Sequence, residues 1–172
     1  MEEPCFICQK HAGIVAPPPG GYLYQNAHWK VCHAPATLAR LGTLFVESKR
    51  HVLDFADMTT AETTTYGQTM TLVYAALKRL LNAERVYTVM MLEGVPHCHV
   101  WLVPRLPGET LRGVELLAQL QTMSCLDAEA VALAEPLRGA IAQLDGQGNG
   151  LEPNSPPGIN WDKPNVLGHH AG

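Results

Sequence analysis

Val95-Pro96-His97-Cys98-His99-Val100-Trp101-Leu102-Val103-Pro104-Arg105 is the stretch on which the reading of this chain turns. From His97 to Val103 it reads as a β-strand, and a strand sends successive side chains to opposite faces. His97, His99, Trp101 and Val103 then share one face. Cys98, Val100 and Leu102 share the other and point into a core. Two imidazoles are thus held side by side at a separation set by the backbone. A strand with two exposed histidines also occurs by chance, so the meaning of the pair depends on the rest of the chain.

Working outward, Val86–Leu92 reads as the preceding strand, joined to the histidine strand by Glu93-Gly94-Val95-Pro96. Upstream, Thr59-Thr60-Ala61-Glu62 has the form of a capping box. Tyr66, Met70, Val73, Leu77 and Leu80 then recur at helical spacing and predict one amphipathic helix to about Leu81. Tyr22-Leu23-Tyr24, Trp29–His33 and Thr43–Val46 read as three more strands, the first two separated by Gln25-Asn26-Ala27. Ala16-Pro17-Pro18-Pro19-Gly20-Gly21 is a stiff loop. Downstream, Leu111–Gln121 and Asp127–Leu144 read as helices, the second weakened by Pro136. From Asp145 onward Gly, Pro and Asn dominate, which predicts an irregular tail. The expected class is α+β: an antiparallel sheet with one long helix, followed by a helical extension.

Composition narrows the function. The chain has 172 residues, 47% of them hydrophobic and 16% charged, enough for a real core in one compact domain. A formal net charge of -4 disfavours a nucleic-acid polymer as partner but leaves room for a small anion. No apolar run reaches about eighteen residues, so no membrane span is expected. The acidic start lacks a signal-peptide pattern, and a cytoplasmic location is expected. Five cysteines in a reducing compartment argue against a disulfide framework. Cys5-Phe6-Ile7-Cys8 then reads as metal ligands at zinc-knuckle spacing or as a redox pair, although no thioredoxin-like βαβ pattern surrounds it. A tetrahedral site needs two further ligands, and His51 and His97, at the ends of predicted strands, are candidates.

The segment His97–Arg105 resembles the signature of the histidine triad superfamily: His, any, His, any, His, two apolar residues, often Pro-Arg. The Cys5/Cys8 knuckle, the Lys49-Arg50-His51 ending and the long helix before the signature match bacterial members in order and approximate spacing. The likeness covers roughly residues 4–106. It implies a half-barrel antiparallel sheet with helices, a two-fold homodimer, His99 as the nucleophile, and a structural Zn2+ on Cys5, Cys8, His51 and His97. That site is similar to the one in related galactose-1-phosphate uridylyltransferases. The implied activity is hydrolysis or transfer at the α-phosphate of a nucleotide or nucleoside polyphosphate through a nucleotidyl-histidine intermediate. The expected organisation is a nucleotide-binding domain with an N-terminal zinc knuckle over 1–106, a helical extension of the same domain over 107–144 and an irregular tail over 145–172.

The chain departs from the pattern at the third histidine, where Trp101 stands. Tryptophan offers one indole donor and does not titrate. It can bind a phosphate oxygen, but it cannot protonate a leaving group. Leaving groups that are already stable anions are therefore expected. The alternative is a nucleotide-binding protein with a structural zinc and little or no turnover, because Trp101 fills the pocket. Gly94 occupies a place where many members carry a polar phosphate contact, and its backbone is expected near the phosphate. His33 is a further substrate-binding candidate, with a packing role as the competing reading. Arg105 could donate to a phosphate, and Trp29 and Tyr22 could stack on a base, but structural roles are expected for all three; Cys98 is expected to be core, and His169-His170 a weak metal pair. Cys32 and Cys125 have no assigned role.

Overall fold

Alternating apolar residues build a single sheet, and the computed structural model of the protein describes residues 5–147. Cys5 caps the short helix α1 (Phe6–His11). The proline loop that follows closes a turn in which the Gly21 N–H donates to the Pro18 carbonyl at 2.8 Å. Pro19 and Gly20 take its central positions. Gly20 has φ +69°, as a type II turn requires at that place.

Strands β1 (Tyr22–Gln25) and β2 (Trp29–His33) form an antiparallel hairpin. Asn26 Oδ1 accepts from the N–H groups of His28 and Trp29, both at 2.9 Å, and so makes the expected turn. β3 (Leu44–Ser48) pairs with β2, and a 3-10 turn at Phe55–Asp57 leads to the long helix α2 (Thr60–Leu81). The expected capping box is present. Glu62 N–H donates to Thr59 Oγ1 at 3.3 Å, and Thr59 N–H donates to the Glu62 carboxylate at 2.7 Å. Asn82, left-handed at φ 52°, ends the helix. β4 (Arg85–Val89) and β5 (His99–Arg105) complete the sheet, whose order is β1-β2-β3-β5-β4, antiparallel throughout. Helix α3 (Gly113–Ala118), a 3-10 turn at Leu120–Thr122 and helix α4 (Asp127–Gly146) follow.

The main core lies between one sheet face and helices α2 and α4. Val31, Leu44, Val46, Val100 and Leu102 meet Val73, Leu77, Leu137 and Ile141 there, all almost fully buried. Cys98 joins this core, as the alternation predicts. Trp29 is also buried in it, and its indole donates to the Glu62 carbonyl at 3.0 Å. The architecture is the expected α+β arrangement. Element ends differ from the sequence reading. β4 stops at Val89 rather than Leu92, and β5 begins at His99 rather than His97. Short loop bonds replace the ladder at the start of that segment, His97 N–H to Val95 O at 2.8 Å and Cys98 N–H to Val52 O at 2.7 Å. Leu80 faces outward at 38% exposure, and Leu81 packs on the core in its stead. The helix expected over 111–121 shortens to α3 and a 3-10 turn. α4 continues past Pro136 to Gly146, and its last turn takes in residues first read as tail. The remainder of that tail, with His169-His170, lies outside the described residues. Among the described residues no helix is long and apolar enough to cross a membrane.

Candidate functional site

Two centres sit back to back at the start of β5. At the first, four side chains converge. Cys5 and Cys8 stand three residues apart on one face of α1, His51 follows β3, and His97 precedes β5. Their ligand atoms all lie within 4.8 Å of one another. His97 Nδ1 is 3.4 Å from Cys5 Sγ, 3.5 Å from Cys8 Sγ and 3.3 Å from His51 Nδ1, and the last is 3.5 Å from Cys8 Sγ. A tetrahedron with ligand bonds of about 2.0–2.3 Å has edges of about 3.3–3.8 Å, so the donor set fits a four-coordinate cation. His97 is fully buried, and its other nitrogen, Nε2, donates to the Ser48 carbonyl at 2.7 Å. That bond presents Nδ1 to the site, an orientation typical of metal-ligating histidines. Burial pushes the His97 imidazole down and favours its neutral, ligating form.

The second centre is a cavity of about 510 Å³ on the face of the sheet opposite the main core. Its floor is set by strand register. Phe45 lies opposite Trp101, and Glu47 lies opposite His99. The Phe45 ring meets the Trp101 ring at 4.6 Å and the His99 ring at 5.6 Å between centroids. Pro17, Pro18 and Pro19 form one wall, and Asp127 and Val131 bring α4 to it. Phe6, Leu38 and Val131 line the same cavity although they are 51%, 45% and 51% exposed. Apolar side chains left open around a floor of aromatic rings with His99 and Glu47 among them suit a flat organic ligand.

His99 is buried against this floor at 5% exposure. Its Nδ1 donates to the His97 carbonyl at 2.7 Å. The tautomer is thereby set, and Nε2 is left without a hydrogen-bond partner among the described residues. His33 lines the cavity as well, but both its nitrogens are engaged. Nδ1 donates to the Ala34 carbonyl at 2.6 Å, and Nε2 accepts from the Gly42 N–H at 2.9 Å. Burial lowers the affinity of that imidazole for a proton, in keeping with a neutral ring. Trp101 forms part of the wall, half-buried, with no acceptor for its indole N–H among the described residues. Gly94 is exposed, and it is Val95 that reaches the cavity lining. A Cβ at Gly94 would meet nothing within 4 Å, so no close approach demands glycine there in the free protein. Arg105 is structural, bonded to Glu84 and to the Glu109 carbonyl.

Scanned against sequence-family models and curated protein sequences, the chain finds no match. Solved structures do match. A zinc-bound histidine triad family protein from Mycobacterium smegmatis is 21% identical with a TM-score of 0.64, over 83% of this chain and 96% of that one. The chain has the histidine triad fold. A hypothetical histidine triad nucleotide-binding protein from Sulfolobus tokodaii matches 86% of this chain and 98% of its own, at 13% identity and a TM-score of 0.66. A uridylyltransferase matches at 19% identity and a TM-score of 0.59, over 81% of this chain and 45% of its own length. Within this histidine triad fold the sequence reading overlooked Lys10 and Glu47, which line the cavity as a buried ion pair. A glutamate inside the apolar run Leu44-Phe45-Val46-Glu47 was the available signal for it.

Proposed function

We propose that the protein hydrolyses or transfers nucleotides at the α-phosphate, with His99 as nucleophile. The observation that carries this reading is the His99 Nδ1–H bond to the His97 carbonyl at 2.7 Å. It leaves Nε2 with its lone pair as the reactive atom of a neutral imidazole. Attack forms an Nε2–P bond and breaks the bond from phosphorus to the leaving oxygen, which departs with the electron pair. Water or another acceptor then displaces the histidine. Trp101 can donate its indole N–H to a phosphate oxygen but has no proton to give a leaving group, so polyphosphate-type leaving groups are preferred over amines. The His33 ring and the proline wall would hold the base, and the Gly94–Val95 backbone would face the phosphate. The names of the matched proteins, a nucleotide-binding protein and a uridylyltransferase among them, support a nucleotide as ligand.

Zinc is the cation the first centre suits best, because two thiolates and two imidazoles match its chemistry and the zinc-bound relative shares the fold. When bound there it crosslinks α1 to the sheet; four protein ligands leave no position for water. This reading takes residues 107–144 as part of the same domain as 1–106, since α4 packs on α2 and β1 and contributes to the cavity. It carries a two-fold homodimer with it, which light scattering tests. The decisive experiment is incubation with a dinucleoside polyphosphate and trapping of a covalent adduct on His99. Wild type and His99→Ala equally inactive on a broad nucleotide panel would refute the enzyme. Tight calorimetric binding without turnover would favour the binding-protein reading, for which the bulk of Trp101 is the supporting observation.

A further inference from the structure

Among the described residues Lys10 is the one cation in the cavity lining, and Glu47 and Asp127 are the anions there. A phosphate entering the cavity without Lys10 would therefore meet net negative charge. Lys10 lies on α1, 8% exposed, with its ammonium bonded to Glu47 Oε1. Glu47 is itself fully buried and is the direct cross-strand neighbour of His99, so its side chain shares the nucleophile's face. Its second oxygen accepts from His11 Nε2 at 3.0 Å. Burial alone would raise the Glu47 carboxyl, but His11 and Lys10 outweigh it and hold the group below its usual range. The Lys10 Nζ is also 3.9 Å from the Cys32 thiol and 5.9 Å from the centre of the Phe45 ring, the ring that touches both His99 and Trp101. An ammonium has three N–H donors. One goes to Glu47 and one lies toward a weak sulfur acceptor, which leaves a donor for a ligand.

We propose that Lys10, oriented by Glu47, is the cation that binds the nonbridging phosphate oxygens of the nucleotide in front of His99. The inference rests on the nucleotide reading of the cavity and names the group that meets the charge there. Glu47 is a positioning residue in this arrangement, since it acts through the ammonium. Charge at the phosphate is then met by a fixed cation rather than by a titrating third histidine, which fits a site where Trp101 has no proton to offer.

The test compares the binding of adenosine and AMP to the full chain by calorimetry, with metal content checked in every variant because Lys10 follows Cys8 so closely. Lys10→Met should weaken AMP about 10- to 100-fold, the range for a charge-assisted bond, and leave adenosine within about threefold. Glu47→Gln, which removes the charge that orients the ammonium, should weaken AMP as well, by about three- to tenfold, and leave adenosine within about threefold. Lys10→Met leaves a buried carboxylate without its main partner; if it fails to fold, the double variant Lys10→Met/Glu47→Gln buries no charge and should show the same loss of AMP over adenosine. Equal losses for both ligands, or none for either, would overturn the role of Lys10 alone. A wild type that binds neither AMP nor adenosine would overturn the nucleotide reading and this inference with it.

Discussion

Replacing Gly20 with alanine should loosen the wall that α4 contributes to the cavity, and Gly21→Ala provides an internal control. Both glycines have positive φ, +69° and +76°, so alanine at either place meets the left-handed penalty of about 1–2 kcal/mol. They differ in what a new methyl group would touch. At Gly21 nothing lies within 4 Å. At Gly20 the methyl would fall well inside van der Waals contact of Ala134 Cβ, with Val131 Cα at 3.5 Å behind it. These are backbone and Cβ atoms of α4 and cannot swing aside, so the helix itself must retreat. Arg138 of α4 also donates to the Gly20 carbonyl at 2.8 Å, a bond that such a shift stretches. Overpacking of this kind adds about 1–3 kcal/mol. Gly20→Ala should then lose about 2–5 kcal/mol in total, against about 1–2 for Gly21→Ala. At about 2–4 °C per kcal/mol, thermal unfolding separates the two variants by several degrees. Calorimetry should show weaker nucleotide binding for Gly20→Ala alone, since Asp127 and Val131 move with α4. Equal thermal losses for the two variants would refute the packing of α4 on the loop, and with it the single-domain reading of residues 107–144.

Cys8→Ser, or removal of metal by a chelator, should lower the stability of the protein by about 3 kcal/mol or more, read as a fall in thermal midpoint with metal content measured in parallel. Glu62, bonded to Arg50 and to Thr59, is held at about 2 against an ordinary 4.5. A lowered carboxyl contributes stability at neutral pH and loses it as pH falls from about 4.5 toward 2, so the deficit of Glu62→Gln should be present at pH 7 and vanish near pH 2. Full conversion of that shift would give about 3 kcal/mol, but Arg50 is half-exposed, and solvent screening reduces the expected deficit to roughly 1 kcal/mol in urea unfolding. Trp101→His restores a titrating group, and turnover of a nucleoside phosphoramidate relative to a dinucleoside polyphosphate should rise by about 10- to 100-fold. An unchanged ratio in steady-state assays would remove the leaving-group argument.

Strand alternation carried most of the legible information. Cys98, Val100 and Leu102 go to the core and His99 and Trp101 to the cavity because a pleated strand has a period of two. The convergence of Cys5, Cys8, His51 and His97 was also legible, the thiols from their zinc-knuckle spacing and the two histidines from the resemblance to the histidine triad signature. Lys10 was not, because a lone lysine beside a cysteine motif looks like any exposed cation until α1 is placed over β3. The role of α4 was equally hidden. Its Asp127 and Val131 reach the cavity through the packing of α4 on α2 and β1 and of Ala134 on Gly20, contacts between residues far apart in the chain. Element ends shifted where loop hydrogen bonds, such as Cys98 N–H to Val52 O, displaced ladder bonds that propensity alone favours.

The two histidines of β5 and its approach do different work although they stand two residues apart. His97 turns its ring to the thiols of α1 because its Nε2–H is tied to Ser48, and the residue lies just before the strand begins. Its main-chain carbonyl faces the other way and takes the Nδ1–H of His99. One residue thus belongs to both centres, with its side chain in the proposed ligand set and its backbone on the proposed nucleophile. In the proposed function a cation held there would have no open position for a reactant; it would steady the carbonyl that sets the His99 tautomer and take no direct part at the phosphate. In this reading the charge of the phosphate is left to groups inside the cavity. Trp101 would supply a neutral donor, and Lys10 is the sole cation in the lining among the described residues. A site built this way can stabilise a leaving anion and has no titrating group at the third motif position to protonate one, which is why the preference among leaving groups, more than overall rate, is the property that most directly reports on its chemistry.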